Sequence, residues 1–194
     1  MRVIAGSARS IKLSSPKTDD IRPTTDRIKE TLFNIIQQDL FGSMFLDLFA
    51  GSGAIGIEAL SRGAEKAYFI DNSREAIRII KENVKKTKFE NISAIFNTDY
   101  KAALKKLGVL KIKFNFIFVD PPYFENMYMD ILKNIHDNCV LEEDGLLILE
   151  LPKTFDIDKD ILCSYNLKLE KEKKYKNNKH LFLRYSYENS SISG

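Results

Sequence analysis

The chain is poor in the residues that staple or metallate a fold. It has only two cysteines, Cys139 and Cys163, in 194 residues. They lack the spacing of a zinc site and are too few for a disulfide framework, so a reducing compartment with two free thiols is expected. Histidine is equally scarce: His136 and His180 are the only two, and neither lies in a motif that pairs it with a serine or cysteine nucleophile. Acyl transfer and zinc catalysis therefore lose their support, no metal is expected, and both histidines read as surface or packing residues. No stretch reaches the roughly 18 apolar residues of a membrane span, and the opening Met1-Arg2-Val3-Ile4-Ala5-Gly6 meets Arg9 before an apolar signal core can form. A cytoplasmic protein with no membrane partner is the expectation. Repeats and low-complexity linkers are missing as well, which leaves no place for a second domain.

What is present is an ordinary globular composition, 44% hydrophobic and 29% charged, in a chain long enough to bury roughly 70% of the surface its unfolded form exposes. The formal charge of +3 is modest but unevenly spread. Residues 1–30 hold seven cations against four anions and residues 168–184 seven against two, so the stretch between them is net acidic. Basic ends around an acidic middle suit a polyanion gripped at the periphery; solvated faces give the same count.

The first 42 residues read as an extension. Short apolar runs at 2–5 and 11–13, broken by Gly6-Ser7-Ala8-Arg9, predict a hairpin that Ser14-Ser15-Pro16 ends. Pro23-Thr24-Thr25-Asp26 then signals a helix start, with Ile28, Leu32, Ile35 and Ile36 on one face before Gly42. From Met44 onward strands are predicted at 44–49, 66–71, 92–97, 114–119 and 146–151, separated by helices near 54–62, 73–86, 100–107 and 127–138. Such βα alternation implies an α/β fold, a parallel sheet with helices on both faces. The ending differs: 167–175 and 181–187 are strand-like runs joined only by Lys176-Asn177-Asn178-Lys179, too short for a helical crossover, so they predict an antiparallel hairpin at one sheet edge.

Asp47-Leu48-Phe49-Ala50-Gly51-Ser52-Gly53-Ala54-Ile55-Gly56 closes the first strand of this core and opens its first helix. In a doubly wound sheet that turn borders the crevice where ligands bind, and glycines let a ligand approach bare backbone. Gly51, Gly53 and Gly56 match the dinucleotide pattern G-x-G-x-x-G, so the cofactor is NAD or S-adenosylmethionine. A pyrophosphate at this helix N-terminus would meet the Asp47 carboxylate four residues before Gly51, whereas a sulfonium and an ammonium group are attracted to it. Charge thus favours the methyl donor, with Asp47, Phe49, Gly51 and Gly53 as its candidate residues in this loop. Asp71, ending the apolar run Ala67-Tyr68-Phe69-Ile70, can accept from ribose hydroxyls. Asp99 can accept from the adenine amino group with Tyr100 beside the ring, or serve only as a helix N-cap.

Phe116-Ile117-Phe118-Val119 runs into Asp120-Pro121-Pro122-Tyr123, the candidate catalytic tetrad. A Pro-Pro pair cannot continue a central strand, so it makes a rigid loop at the crevice. That loop offers the Asp120 carboxylate and the Pro121 carbonyl as acceptors and Tyr123 as a flat face, a set suited to a planar ring bearing an exocyclic amine. Two acceptors on the two N–H bonds favour pyramidalisation and expose the nitrogen lone pair. Stacking on Tyr123 retains a base taken out of its stack, at roughly 1–3 kcal/mol.

With Arg22-Pro23-Thr24-Thr25-Asp26-Arg27, Thr31-Leu32-Phe33-Asn34, Asp47-Leu48-Phe49-Ala50-Gly51-Ser52-Gly53 and Asp120-Pro121-Pro122-Tyr123 together, the sequence resembles the RsmD family from Met1 to about Tyr187. The resemblance implies a class I, Rossmann-like S-adenosylmethionine-dependent methyltransferase with a seven-stranded sheet whose last strand is antiparallel. Its product cofactor would be S-adenosylhomocysteine and its target the exocyclic N2 of one guanine in 16S ribosomal RNA. One methyltransferase domain is then expected, with an extension at 1–42, a catalytic core at 43–188 and a tail at 189–194. It also implies that Asp47, Gly51, Gly53 and Asp71 line the cofactor site, that Asp99 sits near the adenine, and that Asp120, Pro121, Pro122 and Tyr123 hold the guanine. Ribosomal RNA or the small ribosomal subunit is the implied partner, with a monomeric enzyme. Family members often carry a glycine after the tyrosine of the last hairpin, where this chain has Lys176 after Tyr175. Adenine N6 presents the same kind of amine and stays open as an acceptor. Protein glutamine methylation fits less well, since that group resembles Asn-Pro-Pro-Tyr. A nicotinamide dehydrogenase and an inert RNA-binding module are the alternatives outside methyl transfer.

Overall fold

Phe45-Leu46, Ala67-Tyr68-Phe69-Ile70 and Phe116-Ile117-Phe118-Val119 are buried on both alternating faces, which fits only strands covered by helices on both sides. The computed structural model describes residues 1–15, 26–122 and 125–186. Arg22 and the Pro23-Thr24-Thr25 part of the helix signal, Tyr123 of the tetrad and residues 187–194 lie outside them. In chain order the elements are α1 Asp26–Ile36, β1 Met44–Asp47, α2 Ala54–Ser61, β2 Lys66–Asp71, α3 Arg74–Thr87, β3 Ser93–Asn97, α4 Tyr100–Val109, β4 Phe114–Val119, α5 Glu125–Asp137, β5 Leu141–Pro152, α6 Lys159–Ser164, β6 Leu167–Lys174 and β7 Asn178–Tyr185. They build one seven-stranded sheet in the order β3-β2-β1-β4-β5-β7-β6. Strands β1 to β5 pair in parallel, and β7 runs antiparallel to both β5 and β6. The expected sheet with its reversed last strand is thus the observed one. Helices α1, α2 and α3 pack on one face and α4, α5 and α6 on the other. Among the described residues no helix is long and apolar enough to cross a membrane.

Several boundaries differ from expectation, each for a local reason. Strand β1 stops at Asp47 because the chain turns into the glycine loop. Strand β5 starts at Leu141, well before 146: Leu141 pairs with Phe114, and the register then shifts between Phe114 and Phe116, so the acidic Glu142-Glu143-Asp144 segment is carried in the strand. Helix α6 was hidden by its short length; Asp158 caps it, accepting from the Asp160 N–H at 2.9 Å. The final hairpin turns more tightly than its Lys176–Lys179 linker suggests, since Asn178 and Lys179 already belong to β7 and the Tyr175 N–H donates to the Asn178 carbonyl at 2.8 Å.

The expected N-terminal hairpin forms as a short antiparallel pairing: Arg2 bridges Lys12, the Val3 N–H donates to the Ile11 carbonyl at 3.0 Å and the Leu13 N–H to the Met1 carbonyl at 3.1 Å. Packing on α2 takes over beyond it. Glu58 of α2 accepts the Ile4 and Ala5 N–H groups at 2.8 and 3.0 Å, and the backbone at Gly6, with φ +84°, passes so near Ser61 that a Cβ would lie 1.7 Å from its carbonyl oxygen. The buried face of α1 is also rotated from the predicted stripe. Lys29, Leu32, Phe33 and Ile36 are buried, while Ile28 and Ile35 are half-buried, because the Lys29 ammonium has an internal partner, Glu58, at 3.2 Å.

Candidate active site

The strand order reverses between β1 and β4, and in an open parallel sheet that switch point opens a crevice at the carboxyl ends of the strands. Asp47 ends β1 there, and Asp120 directly follows β4. The loop after β1 is pinned on both sides: the Leu48 N–H donates to the Phe118 carbonyl of β4 at 3.0 Å and the Ala50 N–H to the Ile70 carbonyl of β2 at 2.9 Å. Gly51 and Gly53 have φ of +53° and +74°, the left-handed region in which a side chain is strained. Among the described residues a Cβ on Gly51 would meet nothing within 4 Å, whereas one on Gly56 would lie 2.4 Å from Phe69 Cε1. Gly51 therefore borders open space, and Gly56 lets α2 close on β2.

Asp47 is 2% exposed and accepts the Gly56 N–H at 3.0 Å through Oδ2. Burial pushes its carboxyl up to about 7, with the Gly56 N–H opposing and the Asp71 charge adding to the rise. Asp71 accepts from the Gly51 N–H at 2.9 Å through Oδ2 and from the Ser73 N–H at 2.8 Å through Oδ1. It thus fastens the glycine loop to the end of β2, and each oxygen keeps a further lone pair for a hydroxyl donor. Asp99 caps α4, accepting the Ala102 N–H at 3.0 Å, and is exposed. Tyr100 does not turn its hydroxyl to the cleft: it donates to Asp130 of α5, and burial together with that contact pushes its ionisation above the usual range. Its ring meets Phe49, centroids 5.4 Å apart at 45°, so Phe49 and Tyr100 form one half-exposed aromatic wall.

Asp120 is half-buried, Pro121 buried and Pro122 exposed. The Asp120 carboxyl lies well above its ordinary range, through burial first, then the charges of Glu150 and Asp47. Three acids on adjacent strands β1, β4 and β5 thus share one electrostatic neighbourhood.

Glu150 and His180 were not foreseen as site residues. His180 is neither a surface nor a simple packing residue: it is wholly buried, with Nε2 2.9 Å from Glu150 Oε2 and Nδ1 3.1 Å from the Tyr175 hydroxyl. Asn178 donates to the other Glu150 oxygen. The available signal was positional, because Asp47, Asp71, Asp120 and Glu150 each stand at or near the carboxyl end of an apolar strand. A cavity of about 950 Å³ lies instead by the amino ends of β4 and β5, beside Lys113, Leu141, Cys139 and Cys163, and none of the described candidate residues lines it.

The family model described as Conserved hypothetical protein 95 matches residues 1–184. YlbH of Bacillus subtilis (strain 168) is 40% identical over 160 residues, 79% of this chain and 87% of its own. Ribosomal RNA small subunit methyltransferase D of Escherichia coli (strain K12) is 35% identical over 150 residues, 77% of this chain and 74% of its own. Among solved structures, yhhF from Escherichia coli superposes with a TM-score of 0.82 at 30% identity, covering 96% of this chain and 98% of that chain.

Proposed function

The chain belongs to the Conserved hypothetical protein 95 family, the RsmD family, and has the fold of S-adenosylmethionine-dependent methyltransferases; from this we propose that it methylates the exocyclic N2 of a guanine in small-subunit ribosomal RNA. The observation that carries the reading is the position of Asp120 at the end of β4, half-buried and within the field of Asp47 across the switch point.

The residues present fit the methyl donor. Asp47 and Asp71 bracket the glycine loop with carboxylates, and the space before Gly51 is open. S-adenosylmethionine supplies, when bound, an electrophilic methyl group on a sulfonium. Asp71 would hold the ribose hydroxyls, Asp47 would face the cationic end, and the Phe49 and Tyr100 rings would border the adenine beside Asp99.

Asp120 and the Pro121 carbonyl would accept the two N–H bonds of the target amine, with Tyr123 against the ring. The nitrogen gains a methyl and gives up one proton. A carboxylate whose pKa is raised by burial is a better acceptor for that proton than a solvated one. The same acid cluster also favours a cation in the cleft, and a cation there opposes the rise and favours the ionised form of Asp120. RNA enters from a cytoplasmic pool of ribosomal RNA or small subunits, in keeping with the basic ends of the chain.

Asp120→Ala tests the assignment. Methyl incorporation into small-subunit ribosomal RNA should vanish while S-adenosylhomocysteine still binds within a few-fold of wild type; near wild-type turnover overturns the role of Asp120. Nucleoside analysis of the product should give N2-methylguanosine, and N6-methyladenosine in its place transfers the reading to adenine.

A further inference from the structure

The N-terminal extension and the basic C-terminal hairpin meet in space. Helix α1, with the turn after it, and the outer strand β6 flank a groove of about 410 Å³ lined by Thr31, Asn34, Ile35, Gln38, Lys171 and Lys173. We infer that this groove holds the phosphodiester backbone of the RNA strand whose base occupies the cleft beside Asp120, an inference that rests on the function proposed above.

Charge is left uncompensated on this side of the hairpin. On β6 and β7, Lys174 pairs with Glu172 at 3.3 Å, Lys179 is engaged by both Asp156 and Glu172, and Arg184 holds Glu170 at 2.7 Å and Asp39 at 3.6 Å. Lys171 and Lys173 are exposed and make no ion pair among the described residues. Among the described residues no acid lines the groove, and the α1 side contributes a hydroxyl and two carboxamides. Two ammonium groups facing neutral donors suit phosphate oxygens, which give position rather than sequence information.

Register ties this groove to the chemistry. Lys173 pairs with His180, His180 pairs with Glu150, and Glu150 follows Leu149, whose partner Val119 directly precedes Asp120. Lys173 and Asp120 thus lie on one rung, three strand spacings or on the order of 14 Å apart. They also share the α1 face: Phe182, opposite Lys171, belongs to the same core as Phe118 and Ile148. A polyanion needs that separation. The acids of the cleft repel phosphates, but beyond a Debye length of about 8 Å at physiological salt their field is largely screened. A base extruded toward Asp120 can then leave its strand anchored on the lysines.

The test measures binding of a fluorescein-labelled small-subunit ribosomal RNA fragment by anisotropy across a salt series, for wild type, the Lys171→Ala/Lys173→Ala double variant and Lys105→Ala on the opposite helix layer. Each phosphate contact removed lowers the slope of log affinity against log salt by about 0.7 to 0.9. The double variant should therefore bind several-fold more weakly with a slope reduced by roughly 1.5, and Lys105→Ala should match wild type. An unchanged slope in the double variant overturns the groove, as does an equal loss in Lys105→Ala. Methyl incorporation by the wild-type protein is read separately. Its absence sinks the proposed function, whereas active enzyme with an unchanged slope sinks only the groove.

Discussion

His180 Nε2 stands 2.9 Å from Glu150 Oε2 in a corner where the histidine is wholly buried and the glutamate 4% exposed. The Glu150 charge adds to burial in raising both Asp120 and Tyr175, the latter up to about 12. The pair therefore shapes the field behind the candidate catalytic carboxyl. His180→Ala leaves the Glu150 carboxyl, among the described residues, with the Asn178 amide alone, and a buried charged group that loses a hydrogen-bond partner costs about 1–3 kcal/mol. Its thermal melt should fall by at least several degrees. Glu150→Gln removes the charge and keeps hydrogen-bonding capacity, so it should cost less stability and move the acidic limb of the pH–rate profile to lower pH. Equal melts for the two variants, with an unmoved profile, would contradict this account.

Asp47 makes the fold sensitive to pH. Its carboxyl is raised to about 7 from an ordinary 3.8, so between those values the folded chain holds a proton that the unfolded chain has released. Stability is then lost as pH rises through this window, at up to about 1.4 kcal/mol per unit. Asp47→Asn keeps an acceptor for the Gly56 N–H and removes the charge. Its melt should match wild type near pH 4 and exceed it above pH 7. Wild-type cofactor affinity should run the other way, rising with pH to a plateau above about 7, because a cation binds the ionised acid. Calorimetry that finds the same pH dependence of affinity in wild type and Asp47→Asn would exclude the assigned role.

Two glycines of one loop should fail in opposite ways. Among the described residues a Cβ on Gly51 meets nothing within 4 Å, though φ is +53°, whereas on Gly56 it meets Phe69 Cε1 at 2.4 Å, and that ring is wholly buried. Gly51→Ala should cost about 1–2 kcal/mol through strain but place a methyl in the space proposed for the cofactor, so affinity for S-adenosylhomocysteine should drop more than stability does. Gly56→Ala overpacks the α2–β2 contact at about 1–3 kcal/mol, so its melt should fall while any folded protein still binds. Thermal melts and calorimetry on both variants decide, and a reversed order refutes the placement of Gly51.

The sheet was legible because its strands are apolar on both faces and Gly51, Asp71 and Asp120 mark where they end. Asp47, Asp71 and Asp120 could be found by position along the chain, as each follows a short apolar run. Glu150 offers the same positional signal, but its pairing with His180 could not be read, since it comes from β7 lying beside β5, a contact between distant parts of the sequence. Tyr100 shows the converse: its place after Asp99 suggested a ring at the adenine, but only the fold brings Asp130 to its hydroxyl. The N-terminal hairpin was legible only in part for a similar reason. Its short runs pair with each other near Val3 and Ile11, but hydrogen bonds to Glu58 and Ser61 satisfy the backbone between them on a helix.

Lys29 is the residue on which that N-terminal arrangement depends. Its ammonium donates to the Arg2 carbonyl at 2.6 Å and lies 3.2 Å from Glu58, both side chains wholly buried. Burial pulls the lysine's ionisation down and Glu58 opposes it. Lys29→Met removes the tie between α1 and residues 2–5 but leaves Glu58 its Arg62 partner at 2.9 Å and two backbone donors. The cost should therefore sit at or below the lower end of the range for a broken buried pair, about 2–3 kcal/mol. The loss should be local first. Amide exchange at Ile4 and Ala5 and along α1 should quicken, RNA affinity should fall because α1 forms one wall of the lysine groove, and S-adenosylhomocysteine binding should persist because its proposed residues lie at the ends of β1, β2 and β3. Exchange that quickens equally in β1 and β4 would show that Lys29 supports the whole sheet rather than the docking of α1.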